Sequence, residues 1–115
     1  MFVGGHEPHQ KYDEGVKLKL AEEAPWISVD FEHPGWSGNP GETAEILISR
    51  FPNYDALVIM TLIRTNLGRT LRKSTNDFGL VWVSCTGGGR SSVERAIRRG
   101  AELALRKQKK DSQTV

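Results

Sequence analysis

Short apolar segments alternate with longer amphipathic segments along the 115 residues of the chain. The clearest apolar segment is "DALVIMTLI", residues 55–63, which is hydrophobic at nearly every position and is typical of a central strand buried on both faces. Shorter apolar segments predict strands over residues 1–3, which end at Gly4 and Gly5, and over residues 26–31 and 79–85. The chain therefore has four predicted strands.

Helical spacing of apolar residues predicts one helix after each strand, over residues 9–24, 42–51, 66–77 and 91–110. Strand and helix thus alternate four times, a pattern that predicts a parallel sheet with right-handed crossovers. We expect a single α/β domain of three layers, Rossmann-like or flavodoxin-like. Its four-stranded sheet should have the order 2-1-3-4, with helices on both faces.

Composition fits one globular domain. Hydrophobic residues make up 37% of the chain and charged residues 26%, and no apolar run reaches the roughly 18 residues that span a membrane. The amino terminus lacks a basic region followed by a hydrophobic one, so we expect a cytoplasmic protein without membrane association. The domain is expected to cover residues 1–108, followed by a flexible basic tail over residues 109–115.

The single cysteine, Cys85, excludes an internal disulfide and favours a reducing compartment. It ends a predicted buried strand next to a helix start, which would lower the pKa of its thiol. The C-x-x-x-x-x-R pattern of thiol phosphatases is not met, because Arg90 comes one residue too early. We therefore interpret Cys85 as a buried structural thiol.

Polar residues and glycines follow every predicted strand. In an open parallel sheet, ligands bind beyond the carboxyl ends of the strands, so these residues should meet at one edge. The candidate ligand-binding residues are Gly4, Gly5, His6, His33, Thr61, Arg64, Thr65, Asn66, Ser84, Thr86, Gly87, Gly88, Gly89, Arg90, Ser91 and Ser92.

The segment "GGGRSS", residues 87–92, has the strongest binding chemistry of this set. Glycines permit positive φ angles and close approach of a ligand, and free amides at a helix start attract anions. Arg90 adds a forked donor suited to phosphate oxygens. These features predict a cradle for a phosphate. The alternative is a helix cap without a ligand, because Ser91 and Glu94 fit the S-x-x-E capping box.

Three functions fit these residues. The first is the binding of a phosphorylated small molecule or nucleotide, with Arg64 and Arg90 as charge partners. The second is a hydrolase or transferase reaction on such a ligand, with His6 or His33 as the general base. The third is nucleic-acid association through the basic last helix. The sequence identifies no cofactor.

No metal site is predicted. Conceivable ligands are His6, His9, His33, Glu7 and Glu32. However, no H-x-x-x-H pair lies on one helix face, and histidine in a polar loop is more often a hydrogen-bonding or substrate-contacting group. The nucleotide-binding patterns G-x-x-x-x-G-K-[ST] and G-x-G-x-x-G are not met either.

The motifs "FVGGH", "EHPGWSGN", "YDALVIMT" and "VWVSCTGGGRSSVERAI" occur in this order along nearly the whole chain. This arrangement resembles the bacterial and archaeal family called Domain of Unknown Function 2325. The resemblance implies a small Rossmann-like domain, found alone or at the end of a longer protein, and it implies no reaction because the family's activity is unassigned. The matching residues are Gly4, Gly5, His33, Gly35, Asp55 and residues 89–92. Family members often carry a histidine after strand three, where this chain has Thr65 and Asn66.

Two tryptophans suggest self-association. Trp36 lies in a loop rich in glycine and proline, and Trp26 starts a predicted strand near an edge of the sheet. We expect a homodimer or a larger assembly, with packing of both rings on their own domain as the alternative.

Overall fold

A computed structural model describes residues 1–5, 11–34, 38–61, 63 and 65–113, of which residues 111–113 are described by their backbone only. Within these ranges, strands and helices alternate as the sequence predicts. The elements are β1 (Phe2–Val3), α1 (Asp13–Glu23), β2 (Phe31–Glu32), α2 (Pro40–Ser49), a short 3-10 turn (Phe51–Asn53), β3 (Ala56–Met60), α3 (Thr65–Phe78), β4 (Val81–Cys85) and α4 (Arg90–Gln113).

The strands form one parallel sheet in the order β2-β1-β3-β4, which confirms the predicted topology. Phe2 of β1 pairs with Phe31 of β2 on one side and with Val58 of β3 on the other. All of β3 pairs residue by residue with β4. β1 and β3 are therefore inner strands, and β4 lies at an edge. None of the helices in the described ranges combines the length and apolarity that crossing a membrane requires.

Side chains that alternate along the strands divide the core into two layers, one on each face of the sheet. The layer under α1 and α4 contains Phe2, Val16, Leu20, Val58, Met60, Val83, Val93 and Ile97. The layer under α2 and α3 contains Met1, Val3, Ala44, Leu47, Leu57, Ile59, Leu67 and Leu71. Helices thus cover both faces, as expected for a three-layer α/β domain.

β2 is shorter than the sequence predicts. The prediction covered residues 26–31, but only Phe31 and Glu32 pair with β1. Trp26 is 54% exposed, so the start of that apolar segment gains no burial in the sheet. At the other end of the chain, α4 continues to Gln113, past residue 109 where a tail was predicted to begin.

The predicted capping box is wrong. α4 begins at Arg90, so that Gly89 and not Ser91 takes the cap position. Ser91 lies in the first turn, and the carboxylate of Glu94 pairs with basic side chains of α1 and α4 instead of a backbone amide. The tertiary contact with α1 therefore overrides the local sequence pattern.

Glu94 joins α1 to α4. Its carboxylate is 3.1 Å from Nζ of Lys19 and 3.0 Å from Nη2 of Arg98, which also lies 3.4 Å from Glu23. Burial alone would raise the pKa of Glu94, but the hydrogen bonds from Lys19 and Arg98 outweigh it and lower that pKa below its ordinary value. The ionised carboxylate is therefore the form that holds the two helices together.

We expect Glu94→Gln to lower the free energy of unfolding by about 1–2 kcal/mol at neutral pH, between the values typical of exposed and of buried ion pairs. Because the folded pKa lies below the ordinary value of 4.5, this contribution is complete above that pH and is lost as the pH falls through the folded pKa. Urea unfolding of both proteins, at neutral pH and in acid, measures the difference.

The matched control is Glu102→Gln, because Glu102 is exposed on the same helix. This change should shift stability by less than about 0.5 kcal/mol. An equal loss in both variants would contradict the special role of Glu94.

Candidate anion-binding site

The carboxyl ends of the strands meet at one edge of the sheet. Nδ1 of His33, after β2, donates to the carbonyl oxygen of Gly4, after β1, at 2.7 Å. Gly4 lies so close to β3 that an added Cβ would be 2.7 Å from Cβ of Met60. The amide of Thr61, after β3, donates to the carbonyl oxygen of Cys85 at the end of β4, at 3.0 Å. The segments that the sequence predicts to converge therefore do so.

The glycine pair after β1 makes a tight turn. The φ angles of Gly4 and Gly5 are +123° and +76°, in the region that favours glycine. Both residues are buried, and Gly4 also needs the absence of a side chain to fit against Met60. The backbone alone thus requires glycine at these positions, whether or not a ligand lies nearby.

His33 is engaged through both ring nitrogens. In addition to the bond from Nδ1 to Gly4, Nε2 lies 2.8 Å from Oδ2 of Asp13, the first residue of α1. Its side chain is 8% exposed, and its ring stacks on Phe31. His33 therefore fastens β1 and β2 to the start of α1. In this arrangement neither nitrogen is free to take a proton from a substrate.

The loop from β4 to α4 presents free amides. Within the described part of the chain, the amides of residues 88–92 donate to no protein acceptor. They lie at the start of a helix of 24 residues, where the aligned peptide dipoles give them a partial positive charge. These are the groups that bind anions at helix starts in other folds.

In this loop, close packing and not an unusual backbone angle requires glycine at position 87. Gly87, Gly88 and Gly89 all have φ outside the positive range, so that part of the prediction is wrong. Gly87 packs against the first turn of α4, where an added Cβ would lie 2.7 Å from Cβ of Ser92 and closer still to its hydroxyl. At Gly89, by contrast, an added Cβ would meet no described atom within 4 Å.

Arg90 contacts α1. Its Nη2 donates to the carbonyl oxygen of Gly15 at 3.2 Å, and its guanidinium packs against the Cα of that glycine. The sequence predicted that Arg90 would direct its donors at a phosphate. In the observed arrangement one of its five N–H donors is bonded to Gly15 of α1.

Cys85 is buried, as the sequence predicts. Its thiol donates to the carbonyl oxygen of Gly87 at 3.2 Å. Burial raises the pKa of the Cys85 thiol above its ordinary value, and the bond to Gly87 only partly offsets this. The direction is opposite to the lowering expected from the adjacent helix start. A thiol in this environment is a poor nucleophile at neutral pH.

A small cleft of about 190 Å³ lies between α3 and β4. Three of the predicted ligand-binding residues line it, Thr61, Thr65 and Ser84. Arg72 and Trp82 line it too, and neither was among the binding residues predicted from the sequence. Trp82 is 42% exposed, and the guanidinium carbon of Arg72 lies 5.6 Å from the centroid of its ring.

A larger groove of about 770 Å³ lies at the opposite edge of the sheet, where β1 and β3 begin. Its charged side chains already bond within the protein, in the pairs Arg50–Glu32, Tyr54–Asp30 and Gln108–Asp55. The loop amides at the carboxyl edge have no such partners in the described part of the chain. The carboxyl edge is therefore the better anion site, although its cleft is smaller.

Other predicted residues contribute less to the described site. Asn66 is exposed on α3 and does not line the cleft, and Thr86 and Ser91 are exposed around the loop. Six residues named in the predictions from the sequence lie outside the described residues: His6, Glu7, His9, Gly35, Trp36 and Arg64. Among the residues that are described, no three histidine, cysteine or acidic side chains group as metal ligands would.

Comparison of the chain with protein-family models, with curated proteins and with solved structures found no match in any of the three. The resemblance to Domain of Unknown Function 2325 therefore stays a prediction.

The packing of Gly87 gives a test of the loop. We expect Gly87→Ala to lower the free energy of unfolding by roughly 1–3 kcal/mol, because the added methyl overlaps Ser92. Ser92→Gly removes the overlapping atoms and should recover much of the loss in the double variant. Gly89→Ala, with open space around the added methyl, should cost clearly less. Thermal unfolding of the four variants measures these differences, and additive losses in the double variant would contradict the proposed contact.

Proposed function

We propose that this domain binds a phosphate-containing small ligand at the carboxyl edge of its sheet. The observation that carries the proposal is the set of amides over residues 88–92, which have no acceptor in the described protein. A phosphate accepts several hydrogen bonds at once, and its charge is stabilised by the dipole of α4. Such a ligand would satisfy groups that the fold leaves open.

The contrast between α2 and α4 supports this proposal. At the start of α2, Oδ1 of Asn39 accepts from the amides of Gly41, at 2.8 Å, and Glu42, at 3.4 Å. The same position in α4 is taken by Gly89, which has no side chain to do this. α2 is therefore capped by its own sequence, whereas the amides of α4 are accessible to an external anion.

The described residues favour binding over turnover. A hydrolase or transferase would need a general base, and both nitrogens of His33 are engaged with Gly4 and Asp13. The thiol of Cys85 is buried and bonded, and its pKa is raised. The other candidate base, His6, lies outside the described residues.

One feature of α4 favours nucleic-acid association as a second candidate function. Arg95, Arg99, Arg106 and Lys109 are exposed, and their spacing places them on one face of the helix. Such a row can neutralise backbone phosphates. Nucleic-acid affinity that depends on this row of basic side chains would fall steeply as the salt concentration rises. This salt dependence distinguishes nucleic-acid binding from the binding of a small ligand at the loop.

The proposed site can be blocked without damage to the fold. In Gly89→Asp the new carboxylate lies at the cap position, where it accepts from the free amides and takes the place of the anion. We expect stability to rise by roughly 0.3–1 kcal/mol and phosphate binding to be lost. Isothermal titration calorimetry with inorganic phosphate measures the binding, and thermal unfolding measures the stability.

The matched control is Gly89→Ala, because the methyl fits the open space and accepts no hydrogen bond. It should bind phosphate as the wild type does. Equal phosphate affinity in all three proteins would place the site elsewhere. No binding to the wild type would overturn the proposal.

A further inference from the structure

The cleft between α3 and β4 adjoins the loop that carries the free amides. Ser84 lines the cleft, and Gly87 follows three positions later, so their Cα atoms are at most about 11 Å apart. The thiol of Cys85 also donates to the carbonyl oxygen of Gly87 within this connection. Because α4 and α3 pack on opposite faces of the sheet, a ligand with its phosphate at the loop can reach the cleft by crossing the carboxyl end of β4.

One wall of the cleft is formed by a cation–π pair. The guanidinium of Arg72 lies over the indole of Trp82 at 5.6 Å, and the indole is 42% exposed despite its size. Within the described ranges, Arg72 has no carboxylate partner, so its charge is uncompensated. Indole and guanidinium planes are the groups on which proteins stack nucleobases.

The rest of the cleft suits one ring system with polar edges. Thr61, Thr65 and Ser84 supply hydroxyls that can donate or accept, and Ile59 and Ile63 supply apolar surface. The volume of about 190 Å³ is below the roughly 300–1,000 Å³ of pockets that enclose a drug-sized ligand. The space therefore fits a single heterocycle better than an extended chain.

We propose that the ligand is a nucleoside phosphate whose base lies against Trp82 and Arg72 while its phosphate binds the amides over residues 88–92. This inference rests on the proposed function for the phosphate end and adds recognition of the base. Arg72 and Trp82 are then the residues that distinguish a nucleotide from other phosphorylated molecules.

Calorimetric titrations with inorganic phosphate, ribose 5-phosphate, AMP and GMP test the proposal. The wild type should bind at least one of the two nucleotides roughly tenfold more tightly than ribose 5-phosphate, because only the nucleotides carry a base that can stack. Arg72→Ala and Trp82→Leu should remove this advantage and leave the affinity for inorganic phosphate unchanged. Circular dichroism melting checks that each variant is folded.

Arg69→Ala is the matched control, because Arg69 is exposed on the same helix and the change removes the same charge. It should leave the preference for nucleotides intact. An equal effect of Arg69→Ala and Arg72→Ala would overturn the inference, because general electrostatics would explain both. Two results would overturn the base site but not the phosphate site. One is phosphate binding without a preference for nucleotides, and the other is a preference that persists in Arg72→Ala and Trp82→Leu. Binding of none of the four compounds would overturn both.

Discussion

The parallel pairing of β1 with β2 and β3 is the constraint on which the rest of the structure depends. Phe2 faces Phe31 on one side and Val58 on the other, so the three strands run in the same direction and end at the same edge. β4 joins them in register along its whole length. Four loops therefore leave the sheet at one edge, which is where α/β folds bind their ligands.

The two halves of that edge differ in how far the protein satisfies its own polar groups. On the side of β2, the ring of His33 bridges Gly4 and Asp13, and this half is closed by internal hydrogen bonds. On the side of β4, the amides that start α4 have no acceptor among the described residues, and Trp82 is only partly covered. β4 is an edge strand, so one long side of it has no neighbour in the sheet. Among the described residues, the half beside β4 is therefore the one that leaves its polar groups open.

The topology could be predicted from the sequence because it depends on local periodicity. The apolar segment around β3 and the four amphipathic segments determine the alternation of strand and helix, and chirality then limits the order of the strands. The free amides of α4 could also be anticipated, because a run of glycines places no capping side chain before the helix. The prediction of β2 failed because apolar composition indicates burial but does not supply a pairing partner.

Contacts made by long side chains between distant elements could not be predicted in this way. Glu94 matched a local capping pattern, but Lys19 of α1 draws its carboxylate away. Arg90 bonds to Gly15, which is far away in the sequence. For Trp82 the sequence did contain a signal. The order 2-1-3-4 makes β4 an edge strand, and the alternation of side chains along β4 places Trp82 on the same face as Ser84. The position of Arg72 over that face depends on how α3 packs.

The central claim is that an anion binds the amides at the start of α4. The most direct measurement is a proton–nitrogen correlation NMR titration with inorganic phosphate, which locates the binding site residue by residue. The account predicts that the largest chemical-shift changes occur at the amides of residues 88–92, while the indole of Trp26 and the guanidinium of Arg50 in the opposite groove stay unchanged. Changes concentrated in that groove or along the basic row of α4, with the loop amides unaffected, would contradict it.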